Sequence, residues 1–318
     1  MTAAEAMEIV DLDNTHWSPA VGEAYARRAR TTVLVGVSSQ ALPPESAHVL
    51  SALTLTLAPD GPGRFWVAPE PDDLDLIRET VTRAPGASRA LASLLPLTAQ
   101  LDVADALVAE SLAYSMLLAG PDFRSWRAAT PRREVPTGDD PVLFSREGDV
   151  LTLALNRPGR HNAFGRAVRD RLIEGLQVAL LDESITQVEL RGIGPSFCSG
   201  GDLDEFGTAP DVVAAHQVRL EQSAGLHVHR IRERVVARVH GACIGAGLEF
   251  SAFAARVEAR EGAWFMLPEL SLGLVPGAGG TVSVTRRIGR YRTAYMALTG
   301  RRIDLDTALA WGLVDAGV

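Results

Sequence analysis

Two glycine-rich turns carry the residues best placed to do chemistry in this 318-residue sequence. The first is Ser196-Phe197-Cys198-Ser199-Gly200-Gly201-Asp202-Leu203, between an expected strand and an expected short acidic helix. The second is Gly241-Ala242-Cys243-Ile244-Gly245-Ala246-Gly247-Leu248-Glu249, again strand, glycine turn and helix. Paired glycines let the backbone approach a ligand closely, and unbonded N–H groups at a helix start favour a negative atom. Two such turns can present two N–H groups to one oxygen. That arrangement is an oxyanion hole, in which each donor typically contributes about 3 to 4 kcal/mol to stabilising charge that develops during reaction. Taken singly, either turn reads as a tight connection. Neither Gly245-Ala246-Gly247 nor Gly192-Ile193-Gly194 has the third glycine of the dinucleotide fingerprint.

Other chemistries are excluded by what the chain lacks. All 31 basic side chains are arginine, so neither a Schiff base nor a Walker-type phosphate loop is available. The only two cysteines, Cys198 and Cys243, are too few for a disulfide framework or a zinc cage, and reduced buried thiols are expected. His227 and His229 are two apart in an expected helix and face different ways, so no metal site is expected. No Gly-x-Ser-x-Gly elbow supports a serine hydrolase. A net charge of −8 provides no basic field for nucleic acid. The acidic start and the absence of a long apolar run predict neither a signal peptide nor a membrane span, and so a cytoplasmic protein.

The elements that must position the turns follow from hydrophobic period. Val150, Leu151, Leu153 and Leu155 alternate in a strand that ends at Asn156-Arg157-Pro158. Residues 167–181 carry Val168, Leu172, Ile173, Leu176 and Leu180 at helical spacing, and QVELRGIG is a further strand. Residues 210–232 are expected to be helical, RVVARVHGAC a strand, and 248–255 a helix entered from the second glycine turn. The charged, proline-containing stretch PRREVPTGDDP at 131–141 reads as a linker, which divides the chain into regions 1–138 and 139–318. Before it, TTVLVGVS, LTLTLA and RFWVA have strand character, and 73–82 and 87–126 have helical period. The first region is thus α/β and ends in helices.

The series NRPGRHNAF, SFCSGGDL, VHGACIGAGLEF, FMLPELSLGLVPGAGGT and ALTGRRIDLDTALAWGLVD resembles the signature series of the enoyl-CoA hydratase/isomerase (crotonase) superfamily, in the family's order. The resemblance covers roughly residues 141–318. It implies an α/β crotonase-like superhelix of ββα units, here preceded by the α/β and helical region. It also implies a lyase that stabilises an enolate of an acyl-CoA thioester, with no cofactor beyond the coenzyme A moiety of the substrate, assembled as a homotrimer or a dimer of trimers.

Carried over residue by residue, the resemblance assigns the two oxyanion N–H groups to Gly201 and Ala246, the latter where glycine is commoner. It matches the two hydratase glutamates to Glu249 and Glu269, with Glu269 the better candidate for exchanging the Cα proton, and a water-orienting backbone to Gly277. Both glutamates lie in apolar stretches, unlike an ordinary solvated glutamate. Coenzyme A is matched to Arg160, Ala163, Phe164, Ser199, Gly200, Asp202 and Leu203, with Arg157 and Arg166 as further candidates to meet its phosphates. Related reactions of the same site are double-bond isomerisation, thioester hydrolysis, carbon–carbon cleavage and cofactor-free oxygenation; a silent assembly partner is the alternative outside catalysis.

The sequence departs from the family pattern at three places. Ala255 stands where aspartate is common, and Leu267 where glutamine often precedes the Pro-Glu pair, which makes the acyl pocket more apolar. The chain ends soon after Gly312-Leu313-Val314-Asp315, where relatives continue into helices that cover the site. The stretch 91–126, notably ALVAESLAYSMLLAGPDFRSW, resembles that helical tail, with Glu110 and Phe123 in similar places. The helices at about 73–130 are therefore expected to replace it, as in a circular permutation, within one subunit or between neighbours; an unrelated helical extension is the alternative.

Overall fold

The computed structural model describes residues 6–134 and 140–318, so the expected boundary at 138/139 lies outside the described residues. The first region opens with strand β1 (Met7–Asp11), helix α1 (Pro19–Arg28), strand β2 (Val33–Val37), a short helix α2 (Ala47–Leu50) and strand β3 (Leu55–Leu57). These three strands form a parallel sheet in the order β1-β2-β3. RFWVA does not form the expected strand. Only Val67 pairs, in a single bridge to Leu57, while Trp66 turns its indole N–H to the Gly61 carbonyl at 2.7 Å.

The helix expected over 73–82 is α3 (Asp73–Arg83), and the stretch expected over 87–126 is broken into α4 (Pro85–Thr98), α5 (Val103–Leu118) and α6 (Pro121–Ala129). The Asp102 carboxylate accepts from the Asp105 N–H at 2.9 Å and starts α5, and Pro121 occupies the first turn of α6, where its missing N–H costs nothing. The same rule splits the helix expected over 210–232. Asp211 caps α8 (Val212–Glu221), and Ser223 accepts from Leu226 N at 3.1 Å to begin α9 (Ala224–Arg230).

The second region is a superhelix. A hairpin of β4 (Val142–Glu147) and β5 (Val150–Leu155) leads through α7 (Arg166–Leu181) to β6 (Gln187–Gly192), and after α8 and α9 come β7 (Val235–Val239), β8 (Ala242–Ile244), α10 (Ala246–Ser251), β9 (Arg256–Ala259) and β10 (Trp264–Met266). Helices α11 (Gly280–Ile288), α12 (Arg290–Thr299) and α13 (Leu305–Trp311) and the short β11 (Ala316–Gly317) follow. One strand of each turn enters a six-stranded sheet of order β11-β9-β7-β6-β5-β4. The other joins a second strip in which Cys198 pairs with Cys243, β8 with β10, and Phe265 with Ile303. This is the expected α/β architecture.

The two regions share one core. Leu55, Leu57, Ile77, Leu91 and Leu95 from the first and Leu153, Leu190, Phe265, Val284 and Leu298 from the second belong to a single continuous apolar cluster. Helix α2 is tied to α12 through Tyr291, whose hydroxyl donates to the Leu50 carbonyl at 3.0 Å. Buried Asp73 accepts from the Tyr295 hydroxyl at 3.1 Å and from Arg301, which ties α3 to the same helix. Helices α4 and α5 lie on α11: Thr98 donates to the Thr281 carbonyl at 2.9 Å, and Glu110 accepts from Gly279 N at 2.7 Å. The helices that resemble the family's tail therefore stand directly over the second region's glycine-rich loop.

Candidate active site

Parallel register brings the two glycine turns side by side. Cys198 pairs with Cys243, so three residues further along each strand the chain arrives at Gly201 and at Ala246. Their N–H groups donate no hydrogen bond to any described residue. Gly200 adopts φ +95° and lies against Gly245, which has φ +47°. The first turn is laced to the asparagine turn before it: Phe164 N donates to the Gly200 carbonyl at 2.8 Å, and Asp202 N to the Phe164 carbonyl at 3.1 Å. Buried Asn162, at φ +55°, donates to the carbonyls of Ile193 and Ser196 and fixes that turn against the strand.

Gly201, Ala246, Glu249, Glu269 and Gly277 all line one cavity of about 520 Å³. Phe164 and Asp202 also face it, whereas Arg160, Ala163, Ser199, Gly200 and Leu203 are not part of its lining. The Arg160 guanidinium is held by two carboxylates, at 2.7 Å from both Asp202 Oδ1 and Asp204 Oδ2. Arg166 reaches the cavity wall, and its amide donates to Glu205.

The two glutamates differ in environment. Glu249, at the start of α10, accepts from Ala278 N at 2.7 Å and Gly280 N at 2.8 Å. Burial pushes its carboxyl up to about 7, while those amides hold it down by stabilising the ionised form. Glu269 Oε2 has no hydrogen-bond partner among the described residues. Burial, and then the charge of Glu249, push Glu269 well above the usual carboxylate range. The pair thus differs in what can stabilise a charge: two amides donate to Glu249, and no described residue bonds Glu269 Oε2.

Three residues that sequence reasoning left outside the site also line the cavity: Glu110 and Tyr114 from α5, and Arg219 from α8. Glu110 accepts from Gly279 N and Thr281 N, and from the Thr281 hydroxyl, and burial followed by the charge of Glu249 raises its carboxyl to about 8. The Tyr114 ring packs on the backbone of Gly277 so closely that a Cβ there would overlap it. A lone glutamate in the apolar stretch ALVAESLAYSMLL was the signal available for Glu110. Both cysteines are buried and protonated, since burial raises each thiol, so Cys198 is no nucleophile.

Residues 145–318 match the family model described as enoyl-CoA hydratase/isomerase. The chain belongs to that family. It is 35% identical over 173 residues to the 2,3-dehydroadipyl-CoA hydratase of Escherichia coli, a match covering 54% of this chain and 67% of the relative. It is 33% identical over 178 residues to the 1,2-epoxyphenylacetyl-CoA isomerase of the same organism, covering 54% and 68%. Among solved structures, the enoyl-CoA hydratase of Thermoplasma volcanium matches with a TM-score of 0.53 and 29% identity, over 57% of this chain and 72% of that one. That of Mycobacterium smegmatis matches with 0.51 and 32%, over 56% and 70%.

Proposed function

We propose that the protein is an enoyl-CoA hydratase-like enzyme, which adds water to, or removes it from, an acyl-CoA thioester through an oxyanion-stabilised enolate. The reading rests on one observation above all: both family glutamates face the same cavity as the two unbonded amides of Gly201 and Ala246. In the hydration direction the thioester oxygen sits between those amides. Glu249 takes a proton from water as the water oxygen bonds to Cβ, and the displaced π electrons move to the thioester oxygen as an enolate. Glu269, whose affinity for a proton is raised by burial and by the charge of Glu249, then delivers its proton to Cα as the carbonyl re-forms. Gly277 lines the same cavity, and its backbone would help to orient the water beside Glu249.

The relatives include both hydratases and isomerases, and retention of both glutamates favours hydration over isomerisation, other crotonase reactions or a silent assembly role. Coenzyme A would run along the Asn162 and Gly200 turns. The proposed assembly is a trimer or a dimer of trimers in the cytoplasm, and Val108, Leu112 and Met116, exposed in a row on α5, are a surface such an assembly would cover.

The test is to incubate the protein with crotonyl-CoA and longer enoyl-CoAs and follow loss of the conjugated-thioester absorbance. Wild type should turn over, and Glu249→Gln and Glu269→Gln should each lose about 10²-fold or more. Absence of turnover with every enoyl-CoA, together with no thermal stabilisation by any CoA thioester, refutes the proposal.

A further inference from the structure

Arg219 is a cation built into the wall of the acyl cavity whose hydrogen-bond acceptors are all neutral, with the Glu110 carboxyl acting on it only through space. Its Nε donates to Ser111 Oγ at 3.0 Å, and Nη2 to the Ser111 carbonyl at 3.4 Å and to the Ser115 hydroxyl. Its guanidinium carbon lies 4.6 Å from the centroid of the Tyr114 ring. No carboxylate among the described residues pairs with it, and its Nη1 has no acceptor there. Ser111 Oγ is also 2.9 Å from His216 Nδ1, which fixes the hydroxyl against the guanidinium. Glu110, the residue before Ser111, spends both oxygens on Gly279 and Thr281.

A half-buried guanidinium held by hydroxyls, a carbonyl and a ring lacks a directly bonded counter-ion, and a planar carboxylate is the partner its free edge fits best. Its place matters as much as its charge. Tyr114 packs on Gly277, beside the paired glutamates, and Arg219 stacks on Tyr114, so the cation stands about one aromatic ring beyond the reacting centre along the α5 and α8 wall. The remaining wall there is mostly apolar, with Leu107, Leu118, Ala215 and Val218.

We infer that Arg219 receives a carboxylate at the far end of the acyl chain, so that the substrate class is the CoA monothioester of a dicarboxylic acid. This rests on the CoA-thioester reading above, and the experiment separates the two. Binding of saturated, unreactive ligands to the intact protein is measured by calorimetry at pH 7, using the CoA monothioesters of four- to eight-carbon dicarboxylic acids and fatty acyl-CoAs of equal length. Adipyl-CoA against hexanoyl-CoA is the central pair, with free coenzyme A as control.

The expected result is that the best dicarboxylic thioester binds at least about tenfold more tightly than its methyl-ended counterpart. Arg219→Gln should remove that preference, and Arg219→Lys should retain part of it. Equal or weaker binding of the dicarboxylic series by wild type overturns this inference while leaving the CoA reading in place. A loss of free coenzyme A affinity in Arg219→Gln as large as the loss for adipyl-CoA also overturns it, because the cation would then be meeting a phosphate. Failure of every ligand, coenzyme A included, overturns both.

Discussion

Glu110 and Glu249 divide four consecutive amides between them. Glu249 accepts from Ala278 and Gly280, and Glu110 accepts from Gly279 and Thr281. The loop that begins α11 is therefore held from two sides by carboxylates from two regions of the chain. Each glutamate has its orientation set by a backbone that the other also fixes. Through this arrangement the first region helps to hold the loop whose amides bond Glu249, the carboxyl proposed as the base.

Glu110→Ala should leave two buried amides and a hydroxyl without an acceptor. The expected cost is about 2 kcal/mol or more in denaturant unfolding, with a loss of turnover larger than any change in coenzyme A affinity. Unchanged stability and turnover would show that the loop holds Glu249 unaided.

The split between the glutamates sets the pH dependence. As a base, Glu249 must be ionised, so hydration kcat/KM should rise through about pH 7. As a proton donor, Glu269 must be protonated, so the rate should fall again on the alkaline side of its raised value. A profile that is flat between pH 6 and 8 contradicts these assignments.

The same shifts have a consequence for stability with the opposite sense to a salt-bridged carboxylate. A carboxyl raised on folding binds more protons in the folded state than in the unfolded one above its ordinary value. Stability therefore falls as pH rises from about 4.5 through the folded values. Glu269→Gln removes the buried acid with the unpartnered oxygen. It should raise stability at pH 8 by at least about 1 kcal/mol, and by less at pH 5, as read from thermal unfolding at both.

Gly245 is a position where the backbone itself demands glycine, with φ +47° and ψ −124°. A Cβ there would stand 2.5 Å from Glu269 Oε1. Gly245→Ala should yield a folded protein with turnover reduced about 10²-fold, because it displaces the proton donor and tilts the Ala246 amide. Wild-type kinetics in that variant would remove the geometric argument.

Much of the site was legible because the chemistry lies in backbone turns whose glycines are visible in the chain. Gly201, Ala246 and Glu249 lie in or beside glycine turns that expected strands and helices bracket, while Glu269 was assigned only by the family resemblance. Glu110, Tyr114 and Arg219 were not legible as site residues because their roles depend on α5 and α8 packing together across a loop far away in sequence. Neither helix has a pronounced apolar face, so the pattern does not tell which of its polar side chains turns to solvent and which to a cavity. Strand β1 was missed because MEIVD is short and acidic at its edges, and β4 because its outer face is polar. The longer helices were overextended because Asp102 and Ser223 act as caps only once their side chains turn back on the backbone.

The central claim is that the amides of Gly201 and Ala246 act on one thioester oxygen. Infrared difference spectroscopy of hexanoyl-CoA carrying a ¹³C-labelled carbonyl measures that directly. Two N–H donors should move the carbonyl stretch to lower frequency on binding, and a bound thioester whose stretch stays at its solution frequency would contradict the account.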